Sequence, residues 1–204
     1  MRLVLDTETT GLPDREGLQW GQSHPYSDVE RYKSCRLVQL CMIVTDDAFN
    51  PLEKYNWIID LGVHIPNPEF HGITDAIVAV EGITMTEMAA RLDAVLELGV
   101  GQIYAHNAAF DMNVIRSELF RHAIATDLLR RLDAIPVFCS MEKTTDIVQA
   151  HGKTRRFGFK PPTLAELYRK TTGKTLENAH NCVYDADNLL ECLRALYVTH
   201  RELF

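Results

Sequence analysis

"VLDTETTGL", residues 4–12, decides how this chain is read. Leu3, Val4 and Leu5 run straight into Asp6, Thr7, Glu8, Thr9 and Thr10, and Gly11 follows. The apolar run predicts a buried strand over residues 2–6. In a strand, positions i and i+2 share a face, so Asp6 and Glu8 point the same way where the strand leaves the core. One D-x-E is weak by itself, because most such pairs are solvated strand ends. Its meaning depends on what else reaches that strand end.

Working outward, "RLVQLCMIVTDD" (36–47) predicts a second strand and "LEKYNWIID" (52–60) a third, with the turn signal "FNP" between them. Three strands so closely joined predict an antiparallel meander. "MTEMAARLDAVLEL" (85–98) has helical spacing at Met88, Leu92, Val95 and Leu96, with Thr84 or Thr86 as its cap. A strand over 102–107, a helix over 108–122, a strand over 134–140 and a helix over 162–173 follow. The last helix starts near Cys182. The order βββαβαβ and then helices implies an α/β layered domain with a mixed sheet of about five strands flanked by helices. The connections 12–36 and 60–83 are long.

The chain has 204 residues, 46% hydrophobic and 24% charged, as a soluble globular protein does. It reads as a single domain over residues 1–204. The net charge of -7 argues against coating nucleic acid through bulk charge, but not against gripping a few phosphates locally. Five cysteines, with no CxxC pair, read as buried reduced thiols in a cytoplasmic setting. No apolar run approaches a membrane span and the N-terminus offers no signal peptide, so no membrane partner is expected.

Two further acidic residues lie on apolar stripes. Asp111, in "HNAAFDMNVI" (106–115), is in line with Ile115 and Leu119, so it faces the sheet; taken alone it reads first as a helix cap. In "AHNCVYDADNLLECL" (179–193), Asp185 is in line with Leu189 and Leu193, while Asp187 lies about 200° away from it and is solvated. His180 must then sit in the loop before the helix, with Asn178 and Asn181 as loop or cap residues. Inward carboxylates from a strand and two helices imply a cation, because buried like charges repel and lose hydration. A carboxylate-only set favours Mg²⁺ or Mn²⁺ over zinc. Two such ions about 4 Å apart form the usual clamp for phosphodiester displacement. His180 adds a group that titrates near neutrality and can take a proton from water.

"DTETTGL", "HNAAFD" and "HNCVYD" resemble the three motifs of the DEDD exonuclease superfamily. The H-x4-D form of the third resembles the DEDDh, DnaQ-like branch, which includes bacterial proofreading subunits. "FHGIT" (70–74) and "PTLAELY" (162–168) resemble family segments too, so the likeness spans nearly the whole chain. It implies an RNase H-like fold with Asp6, Glu8, Asp111 and Asp185 as ligands of two metal ions and His180 as general base. It also implies that Thr9, Thr10, Gly11 and Leu12 approach the 3′-terminal nucleotide, Thr10 near the sugar and Leu12 against the base. Asn107 and Phe110 of the second motif join these as substrate contacts.

The implied function is a metal-dependent 3′→5′ exonuclease that releases nucleoside 5′-monophosphates, from single-stranded DNA ahead of short RNA. A non-catalytic module that binds nucleic acid or a polymerase is the reading a degraded motif would favour. His106 is a candidate phosphate contact, although a hydrogen-bonded structural histidine fits it better; His71 reads as structural. "GKTRRFGFKPP" (152–162) surrounds Phe157 and Phe159 with cations, so Arg155 and Arg156 are candidate strand contacts or a solvated loop. "GLQWGQSHPYSDVERYKSCR" (17–36) is either a lid beside the site or an ordered excursion packed on the sheet. The terminal "HRELF" faintly resembles sliding-clamp peptides, but helix-end packing of Leu203 and Phe204 is preferred.

Overall fold

The computed structural model describes residues 1–19, 21–124, 126–152, 158–177 and 181–204. Strand β1 (Arg2–Thr9) continues three residues beyond the expected 2–6 into the threonines and leaves Asp6 and Glu8 on regular strand positions. It pairs antiparallel with β2 (Leu37–Thr45), placing Asp6 opposite Cys41 and Glu8 opposite Gln39, with an irregularity before Thr9. A tight turn leads to β3 (Pro51–Asp60), which completes the expected meander.

The 60–83 connection holds structure that hydrophobic spacing did not reveal. Two short helices, α1 (Pro68–His71) and α2 (Asp75–Glu81), precede β4 (Gly82–Thr84), which runs parallel to β3. Among the described residues the sheet has six strands, one more than the roughly five expected, in the order β4-β3-β2-β1-β5-β6. Gly82 is required at the α2–β4 join, since a Cβ there would lie 2.4 Å from the Val78 carbonyl oxygen.

Thr84 caps α3 (Met85–Glu97) by accepting from the Glu87 N–H. Then come β5 (Gln102–Ala105), α4 (Ala108–Arg121), α5 (Thr126–Ala134) and β6 (Val137–Cys139). Helix α5 is a further element not expected from the sequence, and β6 is shorter than the 134–140 run. Helices α6 (Ser140–Lys143) and α7 (Thr145–Val148) are single turns. Helix α8 (Leu164–Thr172) opens with a capping box between Thr163 and Glu166, and α9 (Cys182–Thr199) starts under Asn181, whose side chain accepts from Val183 and Tyr184.

Strand alternation divides the core. Leu3, Leu5, Leu40 and Met42 pack under α3, α4 and α5 on one face. Val4, Cys41, Ile43 and Tyr104 pack under Ala186, Leu189, Leu190 and Leu193 of α9 on the other. Each fully buried Leu stabilises by roughly 1.5–3 kcal/mol. Phe204 joins this second cluster, stacked on Phe138 with centroids 5.3 Å apart, as expected for helix-end packing. The five cysteines are free, and four are buried. Among the described residues, no helix is long and apolar enough to cross a membrane.

In the 17–36 connection, Val29–Tyr32 forms a 3₁₀ turn, Tyr32 is buried and Tyr26 packs edge-on against Phe120 of α4. The described part is thus an ordered excursion. Trp20 lies outside the described residues.

Candidate active site

Strand β5 runs beside β1 only from Arg2 to Val4. Beyond Val4 the chain after β5 turns away into α4, so a crevice opens next to Asp6 and Glu8. It lies outside the carboxyl ends of two parallel strands, where α/β sheets bind ligands.

Asp6 and Glu8 share the face that carries Val4, towards α9. Asp185, in the first turn of α9, meets them there: one oxygen from each of the three carboxylates lies within 4.8 Å of the others. Asp111 arrives from the opposite face. It is 3% exposed, on the stripe predicted to face the sheet, and its Oδ1 accepts from Thr7 Oγ1 at 2.7 Å. Asn107 begins α4 in the left-handed region (φ 68°), which Asn tolerates, and does not cap it; the cap reading of Asp111 is likewise replaced by the bond to Thr7.

The electrostatics express this crowding. Burial pushes the Asp6 carboxyl well above the usual range, and Asp111, Asp185 and Glu8 raise it further. Glu8 is pushed up to about 7, by burial and then Asp185, against a lowering hydrogen bond from the Cys182 backbone N–H at the start of α9. Burial also raises Asp111, while the Thr7 hydroxyl holds it down. Asp6, Glu8 and Asp111, with Asp185 raising the first two, are unfavourable as bare anions. An oxygen-only donor set at this spacing suits hard divalent cations, so the residues present fit a metal site. Asp187 turns away and pairs with Lys54 of β3.

The threonine turn is fixed from within. Thr9 Oγ1 donates to the Gly11 carbonyl at 2.7 Å. Thr10 Oγ1 donates to the Ser34 carbonyl at 3.0 Å and accepts the Arg36 N–H at 2.9 Å, so its proton is used inside the protein. A Cβ on Gly11 would lie 2.8 Å from the Ser34 oxygen, so only glycine fits. Leu12 stands out at 73% exposed. Asn67 reaches the Thr10 carbonyl at 3.4 Å, and Phe70 in the same segment is 68% exposed.

His106 follows its structural reading: Nδ1 meets Ser140 Oγ at 2.9 Å and Nε2 meets the Pro162 carbonyl at 3.0 Å. Burial lowers its pKa to about 4. His71 is likewise buried and hydrogen-bonded to its own loop. Asn107 is exposed and Phe110 half-buried, both on the rim of a groove beside the crevice. His180, Arg155 and Arg156 lie outside the described residues. Lys160 of the same basic run pairs with Glu166.

The sequence reading missed Thr7, the Cys182 N–H and the pair Arg36–Glu118. Only the second had a visible signal, since the first residues of a helix always carry free N–H groups. Glu118 is 1% exposed, and Arg36 grips it through Nε and Nη2, with Nη2–Oε2 at 3.0 Å.

A mixed sheet with helices on both faces, and carboxylates gathered at the end of its first strand, defines an RNase H-like α/β domain. The chain belongs to the exonuclease family RNase_T, whose sequence pattern matches residues 3–193. It is similar in fold to E. coli exonuclease I in complex with a dA16 oligonucleotide, at 19% identity and a TM-score of 0.69 over 98% of this chain. The zinc-bound form of the E. coli ExoI–ssDNA complex matches at 19% identity and 0.70 over 99%. The chain covers 41% of each of those two proteins. A search of curated proteins finds no match.

Proposed function

We propose that this domain is a metal-dependent 3′→5′ exonuclease that removes nucleoside 5′-monophosphates from single-stranded DNA. The observation that carries the reading is the meeting of Asp6, Glu8 and Asp185 oxygens within 4.8 Å, with Asp111 held behind them by Thr7. Membership of the exonuclease family supports the reaction. The fold likeness to exonuclease I bound to dA16 and dT13 oligonucleotides supports the substrate.

Asp6, Glu8, Asp111 and Asp185 would hold two Mg²⁺ or Mn²⁺ ions. When bound, such ions supply Lewis-acid charge for displacement at phosphorus. Glu8 is kept oriented by the Cys182 N–H and Asp111 by Thr7, so the ligands need little rearrangement. The proton of the attacking water goes to His180, by the resemblance of H-x4-D to the DEDDh motif. Leu12, exposed next to the rigid Thr9–Gly11 turn, meets the terminal base. His106 is assigned to the scaffold, since both ring nitrogens are engaged.

The test is digestion of single-stranded DNA, duplex DNA with a mismatched 3′ end and RNA, each with Mg²⁺ and with Mn²⁺. Mononucleotides released fastest from the single strand support the reading. Preference for RNA would transfer the substrate assignment to short RNA, and no digestion in any arm would leave a binding module.

A further inference from the structure

Cys41 and Cys182 pack together beside the carboxylate crevice, on the face of the sheet that α9 covers. The reaction uses neither thiol. Cys41 stands directly opposite Asp6 in the β1–β2 register. Cys182, the first residue of α9, donates its thiol to the Asp6 carbonyl at 3.0 Å. Both are buried, and the Cys41 sulfur lies within hydrogen-bond reach of the Cys182 thiol. Cys35 and Cys192 lie against Thr9 and Thr171 instead.

A cavity of about 90 Å³ reaches Cys41 between β2, β3 and α9. Val183 and Ala186 form its α9 wall, Asn56 part of its β3 wall, and the Lys54–Asp187 pair also lines it. One water takes up about 30 Å³ of liquid, so the cavity has room for a molecule as small as hydrogen peroxide. Cys41 donates to Asn56 Oδ1 at 3.4 Å, which holds its sulfur at this wall. Cys41 lines the cavity and Cys182 does not, so Cys41 meets an oxidant first. Burial also pushes the Cys182 thiol well above its usual range, as in a thiol that does not attack an outside oxidant.

We infer that Cys41 and Cys182 are an oxidation site, at which a peroxide forms a disulfide that distorts the carboxylate crevice. Hydrogen peroxide converts the Cys41 thiol to a sulfenic acid: an S–O bond forms, the O–O bond breaks and water leaves. The Cys182 sulfur then attacks the Cys41 sulfur. The S–O bond breaks, and the Cys182 proton leaves with the hydroxide as a second water. The two sulfurs must close from contact to about 2.05 Å, which draws the start of α9 towards β2. The Cys182 N–H that holds Glu8 moves with it, and so does Asp185 three residues on. A displacement of about 1 Å in a reacting constellation can cost about 10²-fold in rate. The loss of cutting rests on the exonuclease reading, whereas the disulfide does not.

The experiment treats the reduced protein with hydrogen peroxide, stops the reaction with catalase and divides the sample. Peptide mapping without reductant is expected to find Cys41 joined to Cys182. Digestion of single-stranded DNA with Mg²⁺ should slow by about 100-fold and recover with dithiothreitol. The rise in melting temperature that Mg²⁺ produces should shrink in the oxidised sample and recover likewise. Cys41→Ala should keep its own rate and its own metal-induced rise after the same treatment. Absence of the Cys41–Cys182 peptide overturns the site, and that reading needs no variant. A cross-link that leaves both the rate and the metal-induced rise unchanged overturns its link to the crevice. Equal, reversible loss in Cys41→Ala overturns the assignment to this pair. If the reduced wild type cuts no strand, the exonuclease reading fails alone, and the peptide map with the metal-induced rise still decides the oxidation site.

Discussion

Thr7 Oγ1 donates to Asp111 Oδ1 at 2.7 Å, joining β1 to α4 across 104 residues of sequence. Thr7 lies between Asp6 and Glu8 but points to the other face of the sheet. One strand thus presents two carboxylates on one side and holds a third from the other. Replacing Thr7 by Val keeps the shape and removes the donor. Asp111 would be left buried with a hydrogen bond missing, at a cost of about 1–3 kcal/mol. Urea unfolding of Thr7→Val should show that loss, and metal affinity should fall with it. An unchanged stability would mean that the bond contributes nothing.

The gathered carboxylates predict stabilisation by metal. Saturating Mg²⁺ or Mn²⁺ should raise the melting temperature, since ligand at 100 times Kd adds about 2.7 kcal/mol. Asp6→Asn and Asp185→Asn should each lose most of that shift. Without metal, Asp6→Asn should melt higher than wild type, because a group raised by burial and by three acidic neighbours has been neutralised. Scanning calorimetry with EDTA and with metal reads both effects.

Glu118 is 1% exposed and is gripped by Arg36, which also bonds Thr10 through its main chain. Arg36→Met should cost about 3–5 kcal/mol, as when one partner of a buried pair is removed. Arg121 and His122 also lie near Glu118, which puts the expected loss at the lower end of that range. Chemical denaturation measures it. Because Arg36 steadies the threonine turn, KM should rise more than kcat falls.

These partners explain what the sequence did and did not disclose. Asp6 and Glu8 were legible because a period of two leaves no other arrangement. Asp111 and Asp185 were legible because each continues an apolar stripe, through Ile115 and Leu119 or through Leu189 and Leu193. Glu118 looks like a surface residue in sequence, since its partner Arg36 is 82 positions away. Strand β4 has three residues, too few to display alternation, and it exists because the edge of β3 needs a partner. Helix α5 carries Asp127, Arg130, Arg131 and Asp133 among Leu128, Leu129 and Leu132, and its brevity hid the stripe.

His106 gives a pH signature. Its folded pKa is about 4 against 6.5 for the free side chain, because burial disfavours the cation. The unfolded chain takes up the proton first as pH falls. The histidine therefore costs stability progressively from pH 6.5 down to 4 and adds no further loss below that. The full effect is about 3 kcal/mol. Unfolding free energies of wild type and His106→Gln, measured from pH 7.5 to 4, should converge as the pH drops. Parallel curves would show that His106 has the same pKa in the folded and the unfolded chain.

We propose that the carboxylates at the end of β1 and the start of α9 form a metal site that removes nucleotides from a 3′ end. A single-stranded DNA labelled at its 5′ end, incubated with Mg²⁺ and sampled over time, tests it most directly. The wild type should give a ladder that shortens step by step, and Asp185→Ala should leave the strand intact. Immediate release of the labelled 5′ mononucleotide, or an Asp185→Ala protein that cuts within a few-fold of wild type, would contradict the account.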